Sequence, residues 1–252
     1  MTGRLGGKVI VVSGGSSGIG RAVAQRVAAE DGAVVIGARR AQAGQQAAAE
    51  IKAAGGRAVF VAADMTVEAQ ARELVDAALT EFGRLDGAFN NAGDVATGGP
   101  LAQIDAAAWQ EALATNLTSV FYSMKAQIPA LATGGSIVNN ASIGGVAGIG
   151  GMAPYVAAKH GVVGLTRSAA LECADRGLRI NALVTGNVDT PLYRRLIGVG
   201  PEVGIDELPA PNPAGRVASP AEVAAFVAFL LSDESAFITG AALAIDGGFT
   251  AG

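Results

Sequence analysis

Lys8-Val9-Ile10-Val11-Val12-Ser13-Gly14-Gly15-Ser16-Ser17-Gly18-Ile19-Gly20 decides how this 252-residue chain is read. Its first half, Lys8 to Ser13, is a β-branched apolar run, the pattern of a parallel strand buried on both faces. Its second half is a glycine loop. A helical pattern at Ile19, Val23 and Val27 follows and ends near Asp31-Gly32. A strand, a glycine loop and a helix start make a phosphate cradle. Glycines let the backbone approach a pyrophosphate, and the helix N-terminus supplies N–H donors and positive dipole. The spacing Gly14-x3-Gly18-x-Gly20 is not the commoner G-x-G-x-x-G, and a glycine loop can be a mere turn. Its place between first strand and first helix points to dinucleotide binding. Gly14, Ser16, Ser17, Gly18, Ile19 and Gly20 are the expected contacts.

Outward from this loop the chain repeats the same unit. Strands are predicted at Ala33–Ala38, Arg57–Ala62, Leu85–Phe89, Gly135–Ala141, Arg179–Val184 and Ala242–Ile245. Helices are predicted at Gln42–Ala54, Val67–Phe82 and roughly Asp105–Leu131, the last with a bend at Pro129. A further helix opens at Pro154. Another runs to Leu231 behind a cap at Ser219, with Pro220 first and Glu222 three after the cap. Strands alternating with helices mean parallel βαβ units with right-handed crossovers. The expected fold is α/β: one Rossmann-type domain over 1–252, a doubly wound parallel sheet of seven strands flanked by helices. Ligands then bind at the carboxyl ends of the strands. The loop Gly14–Gly20, Asp64 with Met65, and Asn90-Asn91-Ala92-Gly93 should therefore share one edge. From Asn187 to Gly215 the pattern breaks, and five of the nine prolines fall there. Segment 187–215 is read as an irregular substrate lid, with Tyr193, Leu196 and Ile197 offering apolar surface.

Composition narrows the function. Half the residues are hydrophobic and 16% are charged, enough apolar material for a large core. A net charge of −4 with scattered Lys and Arg gives no basic surface for nucleic acid. One cysteine, Cys173, and one histidine, His160, exclude an internal disulfide and a Cys- or multi-His metal site. Both read as packing residues. The apolar runs Val9–Val12 and Val223–Leu231 are too short for a secretory signal or a membrane span. The expectation is a cytoplasmic protein with no membrane partner.

The second strand carries a cofactor choice. NAD-binding versions of this unit place an acidic residue about 20 residues past the loop to take the ribose hydroxyls. Here Gly37-Ala38-Arg39-Arg40 stands there. Guanidiniums pair well with phosphate, so NADP(H) is expected over NAD(H), unless Arg39 and Arg40 are solvated loop charges.

Tyr155 and Lys159 lie one helical turn apart. An ammonium beside a phenol favours the phenolate, and such a phenol can pass protons near neutral pH. Alone the pair is a weak signal. Asn116 falls mid-helix with Ser119 and Ser123 on its side, and a polar group there needs a partner. Ser142 follows directly on the fifth strand.

Together these residues resemble the short-chain dehydrogenase/reductase (SDR) family, single-domain type, over nearly the whole chain. The matching motifs are Ser13-Gly14-Gly15-x2-Gly18-Ile19-Gly20, Asp64, Asn90-Asn91-Ala92-Gly93, Asn116, Ser142, Tyr155-x3-Lys159 and Asp246-Gly247-Gly248. The resemblance implies an oxidoreductase moving a hydride between NAD(P)(H) and a secondary alcohol or ketone. It implies Tyr155 as general acid/base and Lys159 as the ribose anchor that lowers the tyrosine pKa. Ser142 would bond the substrate oxygen, and Asn116 would anchor a relay water. Asp64 would meet the adenine, Asn91 to Gly93 would line the cleft, and Gly186, Val188 and Thr190 would flank the carboxamide. It also implies a homotetramer or homodimer. Two departures stand out: Thr185-Gly186 where the family has Pro-Gly, and Ser13 where the loop usually begins with Thr. Alternatives within the fold are an epimerase, dehydratase or dehalogenase, a 3-oxoacyl-thioester reductase, and a cofactor-binding regulator without chemistry. The thioester reading is weakened because Ala126–Thr133 carries no basic residue and Glu172 stands where that group tends to have arginine. Arg194 and Arg195 could receive an anionic substrate or be solvated.

Overall fold

The computed structural model describes residues 3–95 and 98–252. Two residues of the 94–100 loop, expected to help select the substrate, thus lie outside the described residues. Seven strands form one parallel sheet: β1 (Val9–Ser13), β2 (Ala33–Ala38), β3 (Arg57–Ala62), β4 (Gly87–Asn90), β5 (Ser136–Asn140), β6 (Arg179–Thr185) and β7 (Ala242–Ile245). Their order is β3-β2-β1-β4-β5-β6-β7. The chain winds outward one way from β1 to β3, then the other way from β4 to β7. The crevice between β1 and β4 is the switch point where such sheets bind ligands.

The period of two along a strand explains the layers. Val9 and Val11 of β1 join an apolar cluster with Val35, Ile137 and Ile180, covered by α3 (Glu68–Phe82), α5 (Ser119–Ala130) and α6 (Ala153–Glu172). Ile10 and Val12 join the opposite cluster with Ile36, Val138 and Leu183, under α1 (Gly18–Ala29), α2 (Ala41–Ala53) and α8 (Pro220–Leu231). Both faces of the sheet are buried, so its strands read as continuous apolar runs. The cap on α8 forms reciprocally: Ser219 Oγ accepts from Glu222 N–H, and Ser219 N–H donates to Glu222 Oε2 at 2.8 Å. Among the described residues no helix is long and apolar enough to cross a membrane.

Two expectations need correction. The long helix, expected to be continuous, runs from Ala106 to Ala130 with Pro129 in its last turn. The break is a π-helical turn at Ala114–Thr118, between α4 (Ala106–Leu113) and α5, with Asn116 at its centre. A wider turn shifts the hydrogen-bond register and is often found at functional sites. Segment 187–215 is not wholly irregular either. Thr190 Oγ1 accepts from Tyr193 N–H at 3.1 Å and caps α7 (Pro191–Ile197). Pro191 sits at the first helical turn, where its missing N–H costs nothing.

Candidate active site

A cleft of ≈ 270 Å³ crosses the carboxyl edge of the sheet. Gly14, Ser16, Ser17, Gly18, Ile19, Arg39, Arg40, Asp64 and Met65 line it near β1 to β3. Asn91, Ala92, Gly93 and Asn116 line its middle, and Tyr155, Lys159 and Thr190 its other end. Four predicted residues do not line it. Gly20 is buried in α1, Ser142 is buried beside Tyr155, Gly186 packs on Asp246, and Val188 pairs with Ala218.

The glycine loop is shaped by close approach. Gly14 has φ +67°, a left-handed conformation that favours glycine. A Cβ on Gly20 would lie 2.3 Å from the Gly14 carbonyl oxygen and 2.7 Å from Asn91 Nδ2. The cradle therefore closes only with glycine, and it leaves the start of α1 open to the cleft. Ser13 Oγ accepts from the N–H groups of Asn91 (3.0 Å) and Ala92 (3.1 Å), so the serine hydroxyl ties β1 to the loop after β4.

At the β2 end, Arg40 donates to Ser17 Oγ at 2.8 Å. Asp64 accepts from the N–H (2.9 Å) and hydroxyl (2.8 Å) of Thr66, which hold its carboxyl below the usual carboxylate range, with help from the Arg39 charge. Two guanidiniums and one carboxylate thus share this end of the cleft.

At the other end, Asn116 has the partners a buried amide requires. Its Nδ2 donates to Ala112 O at 3.1 Å and its Oδ1 accepts from Asp94 N–H at 3.1 Å. Ser119 and Ser123 bond back to the carbonyls of Thr115 and Ser119. Ser142 Oγ accepts from Gly144 N–H at 3.1 Å and sits beside the Tyr155 hydroxyl, where it favours the phenolate. Lys159 is buried, and its Nζ donates to the Asn140 carbonyl at 2.8 Å. The same nitrogen lies 5.6 Å from the centroid of the Tyr155 ring.

The expected lowering of the Tyr155 pKa does not appear. Tyr155 is half-buried as a residue, but its hydroxyl end is desolvated. Burial raises its pKa and outweighs the opposing effect of Ser142. Burial also lowers Lys159 from 10.5 to about 8. Its ammonium is directed at a backbone carbonyl, and the same desolvation that holds the phenol protonated weakens the lysine's charge.

The mouth is bounded by α7 and the segment after it. Arg194 forks onto Asp189 and donates to the carbonyls of Gly200 (2.7 Å) and Val203 (2.8 Å). Arg195 pairs with Asp94, joining α7 to the loop after β4. Tyr193 spends its hydroxyl on Pro209 O. The far end of this segment docks on the C-terminal loop through Ala214 N–H to Gly247 O at 3.0 Å. Among the described residues no cluster of His, Cys, Asp and Glu could hold a metal ion. His160 is exposed, with Nδ1 2.9 Å from Val156 O, and Cys173 is buried.

Sequence reasoning missed Asn140 and Asp94, both of which line the cleft. Asn140 had a usable signal: it is a polar residue ending a parallel strand, two before Ser142. Asp94 directly follows the Asn90–Gly93 motif.

The family model described as enoyl-(acyl carrier protein) reductase matches residues 14–250. The chain is 43% identical over 251 residues to 2,5-dichloro-2,5-cyclohexadiene-1,4-diol dehydrogenase of Sphingobium indicum, covering 98% of each. It is 40% identical over 252 residues to cyclohexanol dehydrogenase of Acinetobacter sp., covering 99% of this chain and 98% of the relative. Its fold superposes on a solved short-chain dehydrogenase/reductase from Serratia marcescens with TM-score 0.89 at 33% identity, covering 98% of this chain and 99% of the other. With the seven-stranded parallel sheet, these matches show that the chain belongs to the short-chain dehydrogenase/reductase family and is an oxidoreductase.

Proposed function

We propose that this enzyme interconverts a secondary alcohol on a six-membered carbocycle with its ketone, using NADP(H) in preference to NAD(H). The observation that carries this is the meeting of Tyr155, Ser142 and Lys159 at one end of a glycine-cradled cleft that holds Arg39 and Arg40 at the other.

The cleft fits a dinucleotide. Gly14 to Gly20 and the start of α1 would take the pyrophosphate, and Asp64 with Met65 the adenine. Arg39 and Arg40 would take a ribose phosphate, since β2 ends without a carboxylate. Lys159 would hold the nicotinamide ribose, with Asn91 to Gly93, Val188 and Thr190 shaping that end. When bound, the nicotinamide supplies or accepts the hydride. The protein's own part is the proton. Ser142 and Tyr155 bond the reacting oxygen and stabilise the charge that develops on it. The Tyr155 phenol, kept protonated by burial, is in the form that a ketone oxygen needs for reduction. Asn116 anchors a water linking Lys159 to solvent.

Two features support a neutral, compact substrate. Both lid guanidiniums are already engaged by Asp189 and Asp94, which leaves a carboxylate substrate poorly served. Leu192 adds an apolar wall. The two relatives named above are dehydrogenases of cyclohexanol and a chlorinated cyclohexadienediol. Segment 187–215 serves as the substrate lid of a single-domain, cytoplasmic homotetramer.

A panel of ring alcohols, linear alcohols, hydroxy acids and acyl thioesters, each with NADP⁺ and NAD⁺, tests the reading. Fastest turnover on ring alcohols with NADP⁺ is expected. Preference for thioesters, or for NAD⁺, would overturn the corresponding part.

A further inference from the structure

The carboxyl edge of the sheet carries a continuous hydrogen-bonded chain of side chains, of which the proposed chemistry uses only Asn91. Thr185, the last residue of β6, donates its hydroxyl to Asn140 Oδ1 at 2.6 Å. Asn140, the last residue of β5, donates its amide to Asn91 Oδ1 at 2.9 Å. Asn91, just after β4, donates its own amide toward the carbonyls of Ser13 and Gly14, both at 3.4 Å, at the end of β1. Strands β6, β5, β4 and β1 are consecutive neighbours in the sheet. The chain therefore crosses four strand ends as a strut beneath the cleft, and every hydroxyl and amide in it points the same way.

The strut touches the reaction end at one atom. The backbone carbonyl of Asn140 accepts from Lys159 Nζ at 2.8 Å. Asn140 thus uses its side-chain oxygen, its side-chain amide and its main-chain oxygen at once. At the other end, the Asn91 amide lies where a Cβ on Gly14 or Gly20 would collide with it, 2.9 Å and 2.7 Å away. Lys159 and the glycine loop are held against the two ends of one device. The donor that starts it is Thr185, the residue that departs from the resembled family's proline. A proline has neither hydroxyl nor N–H to give.

We propose that Thr185 and Asn140 are positioning residues: they fix the carbonyl that aims Lys159 and the amide that braces the glycine loop, and so preorganise the cleft for NADP(H). The inference rests on the cofactor reading above, and its test separates the two. NADPH affinity is measured by fluorescence titration of the purified protein, alongside thermal unfolding. If the wild-type chain fails to bind NADPH, the cofactor reading fails. If it binds, the variants judge the strut.

Thr185→Val keeps the side-chain shape and removes the donor. It should weaken NADPH binding by roughly tenfold, with the unfolding midpoint shifted by less than about 4 °C. Thr185→Ser restores the hydroxyl and should bind within about twofold of wild type. Asn140→Ala breaks the strut from its middle, and the double variant should bind no more weakly than Asn140→Ala alone. Should Thr185→Val not fold, Thr185→Ser and Asn140→Ala carry the test. Wild-type affinity in Asn140→Ala, a serine variant no better than the valine one, or losses that multiply in the double variant would each overturn the proposal.

Discussion

The floor of the cleft and its mouth are built from different materials. The floor is backbone and buried side chains at the ends of β1, β4, β5 and β6. Its amides and hydroxyls are paired, and Lys159 is buried. The mouth is α7, the segment after it and the loop after β4. It is held by pairs such as Arg195–Asp94, whose side chains are 65% and 40% exposed. Buried paired groups are costly to disturb, whereas exposed ion pairs contribute little and fade with salt. The difference teaches where precision is needed: the reacting oxygen must be met within tenths of an ångström, while the mouth only has to admit and enclose.

Substitutions on the two sides should then differ in size. Tyr155→Phe keeps the ring and removes the acid. Turnover should fall about a thousandfold with NADPH affinity unchanged, as steady-state kinetics and fluorescence titration would report. Retained turnover would remove Tyr155 from its role and dissolve the distinction.

Lys159→Met should cut turnover by about a hundredfold yet raise the unfolding midpoint by a few degrees near neutral pH. The sign follows from Lys159 at about 8 in the fold against 10.5 normally. Below pH 8 both states are protonated and the fold bears the full cost of a buried charge. Between 8 and 10.5 the unfolded chain holds more protons than the folded one, so wild-type stability rises with pH. The methionine advantage should therefore be largest below pH 8 and vanish near 10.5, as melts across that range would show.

Arg39→Ala should weaken NADPH about tenfold or more while changing NADH little, because it removes a phosphate partner. Equal losses would reverse the cofactor assignment. Arg195→Ala, at the mouth, should alter the substrate KM by only about twofold to fivefold, less still at high salt. A loss as large as that of Tyr155→Phe would show that the mouth is part of the reacting machinery.

The same contrast explains what was legible in the sequence. The floor announces itself because each piece has a local reason: Gly14 and Gly20 for close approach, Val9 to Val12 for a strand buried on both sides, Tyr155 and Lys159 one turn apart. The glycine loop, the doubly wound parallel sheet and the shared edge of Gly14–Gly20, Asp64 and Asn90–Gly93 follow from such patterns plus the winding rule. The Asn116 turn was not legible, because a π-helical register depends on packing around one amide and leaves no periodic trace. Nor was the strut, since Thr185, Asn140 and Asn91 are separated by 45 and 49 residues and meet only when the sheet forms. The Tyr155 pKa ran opposite to the pairwise expectation because burial, invisible in spacing, raises it and outweighs the effect of Ser142. The mouth was least legible. Thr190 and Pro191 signal the start of α7, yet the pairing of Arg195 with Asp94 spans 101 residues.

The central claim is that this cleft performs net oxidation and reduction with Tyr155 moving the proton. The most direct measurement mixes the purified enzyme with NADP⁺ and cyclohexanol, and counts ketone formed by gas chromatography against NADPH formed by absorbance. The account predicts one NADPH for each ketone in the wild-type enzyme and neither in Tyr155→Phe. A product formed without NADPH, or NADP⁺ bound with no ring alcohol ever oxidised, would contradict it.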